Sequence, residues 1–369
     1  MTEDTFAFII HPITIKKDVA RKFPLAAKIF TEGQINFLSR FFPPLYISEV
    51  TGVKSAATGK ELHGWLLACP FTPPTMMSVP VEVAYNKIVA CGRMAEKLGA
   101  KMLGLGAYTS VVGDGGKTIA DRLDIAVTNG DSYTVTMAVD ALREAAATMG
   151  IQMQDAVVAV VGATGTIGNT CAQLLAGESA KLTLVGRRMD ALETVREKCE
   201  GRGAEVTAST SMDDIYDADL ILTVTSALHS VIEPRHLKPG AVVCDVARPR
   251  DVSWRVAQER DDVLVIEGGM VEVPGDEADF HFNFGFPPKK AFACMAETMA
   301  LALEGRYEDY TIGKEISIEQ AQEIGEIGKR HGFRLAGFRT FEKPVTEEHI
   351  ARVREKAIEN RKVWKPERI

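Results

Sequence analysis

Cys294 stands in the stretch Phe292-Ala293-Cys294-Met295-Ala296-Glu297, shortly after Pro288 and at i+4 from Lys290. The run Ala291 to Leu303 predicts a helix ending near Gly305. On its wheel Phe292, Met295, Met299 and Leu303 form one stripe, while Cys294 falls on the opposite side with Thr298, Leu301 and, at the edge, Glu297. A helix N-terminus and a cation one turn before it both favour the thiolate, the nucleophilic form of cysteine. The alternative is a buried, inert thiol, and that reading suits the other five cysteines. Cys171 opens a helix and Cys244 lies in an apolar strand, while Cys69, Cys91 and Cys199 read as small hydrophobes. None of the six shows C-x-x-C spacing, so reduced thiols are expected, with no disulfide framework and no metal site.

A second group of residues has the spacing of a phosphate cradle. Ala156 to Val161 is an apolar, valine-rich run that suits a strand buried on both faces, and Gly162-Ala163-Thr164-Gly165-Thr166-Ile167-Gly168 leads from it into a helix. Gly162 and Gly165 permit a tight turn and close approach to a pyrophosphate, Gly168 lets helix and strand pack, and the helix N-terminus supplies N–H donors. Thr164, Thr166 and Ile167 belong to the same candidate cofactor site. The following strand, Leu182 to Val185, ends in Gly186-Arg187-Arg188, where an NAD site would carry an acid for the ribose hydroxyls. Arg187 and Arg188 instead suit the 2′-phosphate of NADPH. Their plain alternative is a solvated pair.

These candidates require an α/β fold: a central Rossmann-type doubly wound parallel sheet, with an N-terminal α/β domain and a C-terminal helical segment. Further strands are expected at Asp219–Ser226, Ala241–Val246 and Val263–Glu267. Thr225, Ser226, Asp245 and the Gly268-Gly269-Met270 turn lie at their carboxyl ends, where ligands of such sheets bind. Before the cradle, a strand at Thr5–His11 precedes a basic helix through Lys16, Lys17, Arg21 and Lys22. An antiparallel pair follows at Tyr46–Val53 and Glu61–Ala68, then a helix from Val81 to Leu98. Thr109, Ser110 and Asn129 sit at strand-to-helix junctions and serve either as caps or in a substrate pocket, whereas Asp131 or Ser132 reads as the cap of a helix from about Tyr133 to Met149. The domain boundaries expected are 1–130 for the N-terminal substrate or partner domain, 131–285 for the NADP domain, 286–340 for the cysteine-bearing helices and 341–369 for a charged surface tail.

The composition bounds the function. With 43 Lys and Arg against 50 Asp and Glu, the 369-residue chain carries −7, which argues against general nucleic-acid binding. Met1-Thr2-Glu3-Asp4 is no basic lead-in to an apolar core, and no apolar run approaches bilayer length, which points to the cytoplasm with no transmembrane segment.

Several ordered motifs carry a family resemblance: Thr58-Gly59-Lys60, Leu105 to Ser110, Val160 to Gly168, Glu267-Gly268-Gly269-Met270-Val271-Glu272, Phe292 to Glu297 and Arg330-His331-Gly332-Phe333. Together, from near the N-terminus to about residue 338, they resemble the long-chain acyl-[acyl-carrier-protein] reductases of cyanobacteria. The resemblance implies NADPH-dependent reduction of a fatty acyl thioester to a fatty aldehyde, with Cys294 as the acylated cysteine. It also implies acyl-carrier protein or coenzyme A as the acyl carrier and a downstream aldehyde-using enzyme as a candidate partner. An acidic carrier protein would need a local basic surface, such as the Lys16–Lys28 region, Lys289-Lys290 or the tail. The string Asp245-Val246-Ala247-Arg248-Pro249-Arg250 departs from that family and is more similar to glutamyl-tRNA reductases. A dehydrogenase of that or the shikimate type, with the cysteine incidental, and a non-catalytic NADP-binding sensor stand as alternatives.

Overall fold

Strands and helices alternate along most of the chain, and they close two separate main sheets. The computed structural model describes residues 4–365; Met1, Thr2 and Glu3, read above for a leader, and the last four residues of the expected tail lie outside the described residues. One unit takes the chain through Tyr133 together with Val271–Glu315 and Gln322–Arg334; the other takes Thr134–Met270, Ile316–Ala321 and the chain from Leu335. The division therefore falls within the helices Asp131–Met149 and Ile318–His331, and differs from one drawn at 130, 285 and 340.

In the first unit, β1 (Asp4–Ile10), β2 (Leu45–Lys54), β3 (Glu61–Ala68), β4 (Met102–Leu105) and β5 (Ala126–Thr128) form a sheet in the order β2-β3-β1-β4-β5. Only the β2–β3 pair is antiparallel. Phe6, Ala7, Phe8 and Ile9 are all buried, as a central strand covered on both faces requires. The helix Ala293–Glu304 packs against β1 and β4. A Cβ on Gly104 of β4 would lie 2.1 Å from Thr298 Oγ1, so only glycine admits that helix so closely.

In the second unit, β6 (Val157–Val161), β7 (Lys181–Val185), β8 (Glu205–Ser209), β9 (Leu220–Thr223), β10 (Val242–Asp245) and β11 (Leu264–Glu267) pair in parallel in the order β8-β7-β6-β9-β10-β11. This is the doubly wound order, reversing between β6 and β9, where such sheets bind their ligands. Val158 and Val160 enter one apolar cluster and Ala159 and Val161 another, the two-residue alternation of a strand with a core on each face.

The charged tail is not the surface appendage its composition suggests. Thr346 caps the helix Glu347–Arg361 by accepting the His349 N–H, and Ile350, Val353 and Ala357 bury one stripe. A fully buried Val or Ile side chain stabilises by about 1.5–3 kcal/mol, enough to hold the helix down. Arg361 Nε donates to the Pro239 carbonyl at 2.9 Å and Asn360 Nδ2 to Asp262 at 2.9 Å. No helix among the described residues is long and apolar enough to cross a membrane.

Candidate active site

The glycine turn after β6 has the geometry that phosphate binding needs. Gly162 has φ +86° and a Cβ there would meet the Val224 carbonyl oxygen at 2.7 Å; a Cβ on Gly168 would meet the Gly162 carbonyl oxygen at 2.3 Å. Gly165 precedes the helix Thr166–Leu175, whose start no side chain caps. Its first N–H groups are the orphaned donors that an anion satisfies. Thr164 and Gly165 are exposed and Thr166 and Ile167 half-buried, so Gly162, Thr164, Gly165, Thr166, Ile167 and Gly168 could together hold a pyrophosphate.

Beyond β7, Arg187 and Arg188 are exposed and no acid occupies the strand end. Arg188 stands 3.7 Å from Asp190, with both side chains more than 70% exposed, a pair weak enough for a phosphate to outcompete. Changing Arg187 and Arg188 together to Ala is expected to weaken NADPH by about 1–3 kcal/mol and leave NADH nearly unaffected. Equal losses in a titration of both cofactors would mark the pair as structural.

After β9, the Thr225 hydroxyl donates to Asp251 Oδ1 at 2.5 Å, and the Thr225 N–H and Thr223 hydroxyl both donate to Asp251 Oδ2. Asp251 is fully buried and organises this strand end, a role its place in Arg250-Asp251-Val252 did not signal. Ser226 is exposed beside it. Asp245 is buried, accepting from the Ala247 and Val252 N–H groups, so its carboxylate is spent on the loop rather than offered to a ribose.

In the first unit, Cys294 is the second residue of its helix, and of the six cysteines it alone is not buried. Two expectations about it are corrected. Lys290 belongs to a short strand, Lys290–Phe292, and its Nζ is paired with Glu272 Oε2 at 2.6 Å, so it is not stacked one helical turn below the thiol. The helix also has no polar side: Met295 through Leu303 are all buried, Glu297 and Thr298 included, because β1 and β4 and the surrounding loops enclose it. Partial exposure at Cys294 comes from its place at the helix start.

The Gly130 turn sits directly on the cysteine. With φ +79°, a Cβ on Gly130 would lie 2.3 Å from both Cα and Cβ of Cys294. One turn along the helix, Glu297 accepts from the Thr128 hydroxyl, from the Thr311 hydroxyl at 2.7 Å and from the Tyr133 N–H at 2.8 Å. Asp131 follows Gly130 and interacts with both Cys294 and Glu297: burial, then the charge of Glu297, raise its carboxyl to about 7. Burial first, and Asp131 second, push the Cys294 thiol up to about 12. The resting cysteine is therefore a thiol rather than the thiolate that helix position alone suggests, although the helix-start N–H of Met295 pulls the other way. Alkylation of Cys294 by iodoacetamide, followed on its peptide by mass, is expected to accelerate with pH without levelling off up to about pH 10. A plateau below about pH 8 would contradict this.

Asp131 and Ser132 are inside the helix Asp131–Met149 and do not cap it; Asn129 Oδ1 takes the Asp131 N–H at 3.0 Å instead. Asn129 Nδ2 donates to the carbonyls of Gly115 and Gly313. Thr109 exchanges hydrogen bonds with both backbone groups of Gly106, and Ser110 donates to the Ala107 carbonyl at 2.6 Å. All three candidate substrate residues are buried and engaged with backbone of their own unit.

The family model for shikimate / quinate 5-dehydrogenase matches residues 143–267, the span of the parallel sheet. The long-chain acyl-[acyl-carrier-protein] reductase of Synechococcus elongatus is 30% identical over 352 residues, covering 89% of this chain and 98% of its own. Aminotransferase PigE of a Serratia species is 29% identical over 343 residues; the match takes 89% of this chain but only 39% of that longer protein. Among solved structures, L-tryptophan dehydrogenase from Nostoc punctiforme aligns over 97% of this chain and 89% of its own at 12% identity, with a TM-score of 0.41.

The doubly wound sheet, its glycine turn and the dehydrogenase match define an NADP-dependent oxidoreductase. Its cofactor is NADPH, in keeping with two arginines and no acid after β7. Within that class, the chain belongs to the long-chain acyl-[acyl-carrier-protein] reductase family.

Proposed function

We propose that this chain reduces a fatty acyl thioester to the aldehyde through an acyl-cysteine at Cys294. One observation carries the reading: Cys294 alone among six cysteines keeps solvent exposure, at an uncapped helix start and beside a carboxyl that titrates near neutrality. The acyl carrier is taken to be acyl-carrier protein or coenzyme A, on the strength of the name of the Synechococcus relative.

In the first half-reaction Sγ of Cys294 bonds to the thioester carbon, the carbonyl electrons pass to oxygen, and their return breaks the bond to the carrier's thiol. Asp131, as carboxylate, accepts the proton that Sγ loses and returns it to the departing sulfur. A group with a pKa near 7 is populated in both forms at neutral pH, which suits that exchange. The uncapped N–H groups of the first helical turn favour the oxyanion that develops. When bound, NADPH supplies the hydride that takes the acyl group to the aldehyde level. Departure of the aldehyde leaves Sγ of Cys294 as thiolate, and a proton taken up from solvent through Asp131 restores the thiol, so each turnover consumes one proton along with the hydride.

The test mixes protein and NADPH with a panel of acyl-carrier-protein and acyl-coenzyme A thioesters, following NADPH oxidation and trapped aldehyde. Thioester-dependent oxidation with aldehyde in equal amounts is expected. Binding of NADPH with no thioester turned over would favour a sensor, and oxidation driven only by ketones or keto acids would favour a plain dehydrogenase.

A further inference from the structure

Three short helices of the first unit, α1 (Ile15–Lys22), α2 (Pro24–Ile29) and α3 (Glu32–Ser39), follow β1, and α2, α3 and the residues flanking them expose large apolar side chains. Leu25 is 73% exposed, Ile29 71%, Phe41 71% and Phe37 59%, with Phe42 and Phe30 also in solvent. Within α1 to α3 only Ala27, Ile35 and Ser39 are buried. Large apolar side chains gathered this densely on a surface mark a site of contact.

The segment is not loosely folded chain that has lost its core. Asn36 Oδ1 accepts from the Thr75 hydroxyl at 2.7 Å and from Thr72, Lys87 Nζ donates to the Phe42 carbonyl at 2.8 Å, and Lys22 Nζ to the Ile47 carbonyl at 2.6 Å. Thr31 and Gln34 form a complete capping box on α3. Polar groups thus tie the segment to the body of its unit, and the apolar groups point away. Leu25 and Ile29 stand at i,i+4 on α2, and Phe37 and Phe41, also four apart, meet edge to face at 5.4 Å.

Charge identifies the occupant. Residues 12–44 carry Lys16, Lys17, Arg21, Lys22, Lys28 and Arg40 against only Asp18 and Glu32, in a chain whose net charge is −7. Lys16, Lys17, Lys28 and Arg40 are exposed beside the apolar residues. Exposed apolar side chains interspersed with Lys and Arg along a segment of short helices are what the headgroup and acyl boundary of an anionic bilayer takes up. We propose that α1 to α3 dock this protein on the surface of an anionic membrane, with Leu25, Ile29, Phe37 and Phe41 entering the interface and the cations meeting lipid phosphates. The inference stands on this surface and does not rest on the thioester reading.

Flotation of the whole protein with vesicles of equal parts phosphatidylcholine and phosphatidylglycerol tests it, against vesicles of phosphatidylcholine alone. Protein is expected to float with the anionic vesicles, less so with the neutral ones, and less again at high salt. The triple change L25E/I29E/F41E is expected to lower partitioning about a thousandfold, each lost side chain counting roughly tenfold, with melting temperature and NADPH affinity unchanged. F41W, a mild change at an exposed position, is expected to show a blue-shifted emission only when anionic vesicles are added. No flotation on either vesicle, flotation indifferent to the triple change, or an F41W shift that tracks protein concentration without lipid, as a second copy covering the patch would give, each overturns the proposal.

Discussion

Cys294→Ser protein is expected to bind NADPH as the wild type does and to make aldehyde on the order of a thousandfold more slowly, or not measurably. The swap is nearly isosteric, so the packing at the start of the helix is kept. What is lost is the nucleophile. Even with Asp131 beside it, an alcohol is a far weaker attacking group than a thiol whose proton can be taken. Wild-type protein given acyl thioester without NADPH is expected to gain the acyl mass on the peptide containing Cys294. A label on another cysteine, or a serine variant that makes aldehyde at the wild-type rate, would remove the covalent route.

Asp131→Asn is expected to move two readouts in opposite directions. The asparagine takes away a negative charge that raises the thiol, so alkylation of Cys294 at about pH 8 becomes faster. It also takes away the group that accepts the Cys294 proton during acylation, so aldehyde formation becomes slower, by about 10²–10⁴-fold if Asp131 is a general base. A carboxyl of merely structural importance would not separate the two.

The same carboxyl carries a stability signature. Its pKa is near 3.9 unfolded and about 7 in the folded protein, so between those values the folded state holds a proton that the unfolded state has released. Stability from this group is fully present below about pH 4 and declines as pH rises to about 7. The full shift corresponds to about 4 kcal/mol, and partial exposure of Asp131 makes the real figure smaller. Asp131→Asn is expected to flatten that decline, gaining melting temperature on the wild type between about pH 5 and pH 8. Parallel curves for the two proteins would contradict the raised carboxyl.

Much of the fold was legible because its signals are local. The helix Val81–Leu98 has the bounds its periodicity gives, and the helix carrying Cys294 ends where Gly305 takes φ +76°, a stop that could be read directly from the chain. The turn after β6 was readable for a similar reason, since its glycines answer close backbone contacts within Gly162–Gly168 and with Val224. The tail misled because charge dominates its composition. Ile350, Val353 and Ala357 form a thin stripe whose burial depends on the sheet unit offering a surface, and nothing near residue 350 records that surface.

The sequence by itself determined the α/β class and the glycine turn after β6, which follow from residue type and short-range spacing; it marked Arg187 and Arg188 as cofactor candidates in the same way, and Cys294 as a candidate nucleophile through the family motif around it. Tertiary structure decided the electrostatic state of that thiol. Lys290, four residues away in the chain, is held by Glu272 in a short strand, whereas Asp131, remote in sequence, is brought in by the turn at Gly130 and, with Glu297 of the cysteine's own helix, raises the thiol. The reason is physical: backbone propensity acts over a few bonds, but desolvation and Coulomb interaction act through space on whatever groups folding brings together.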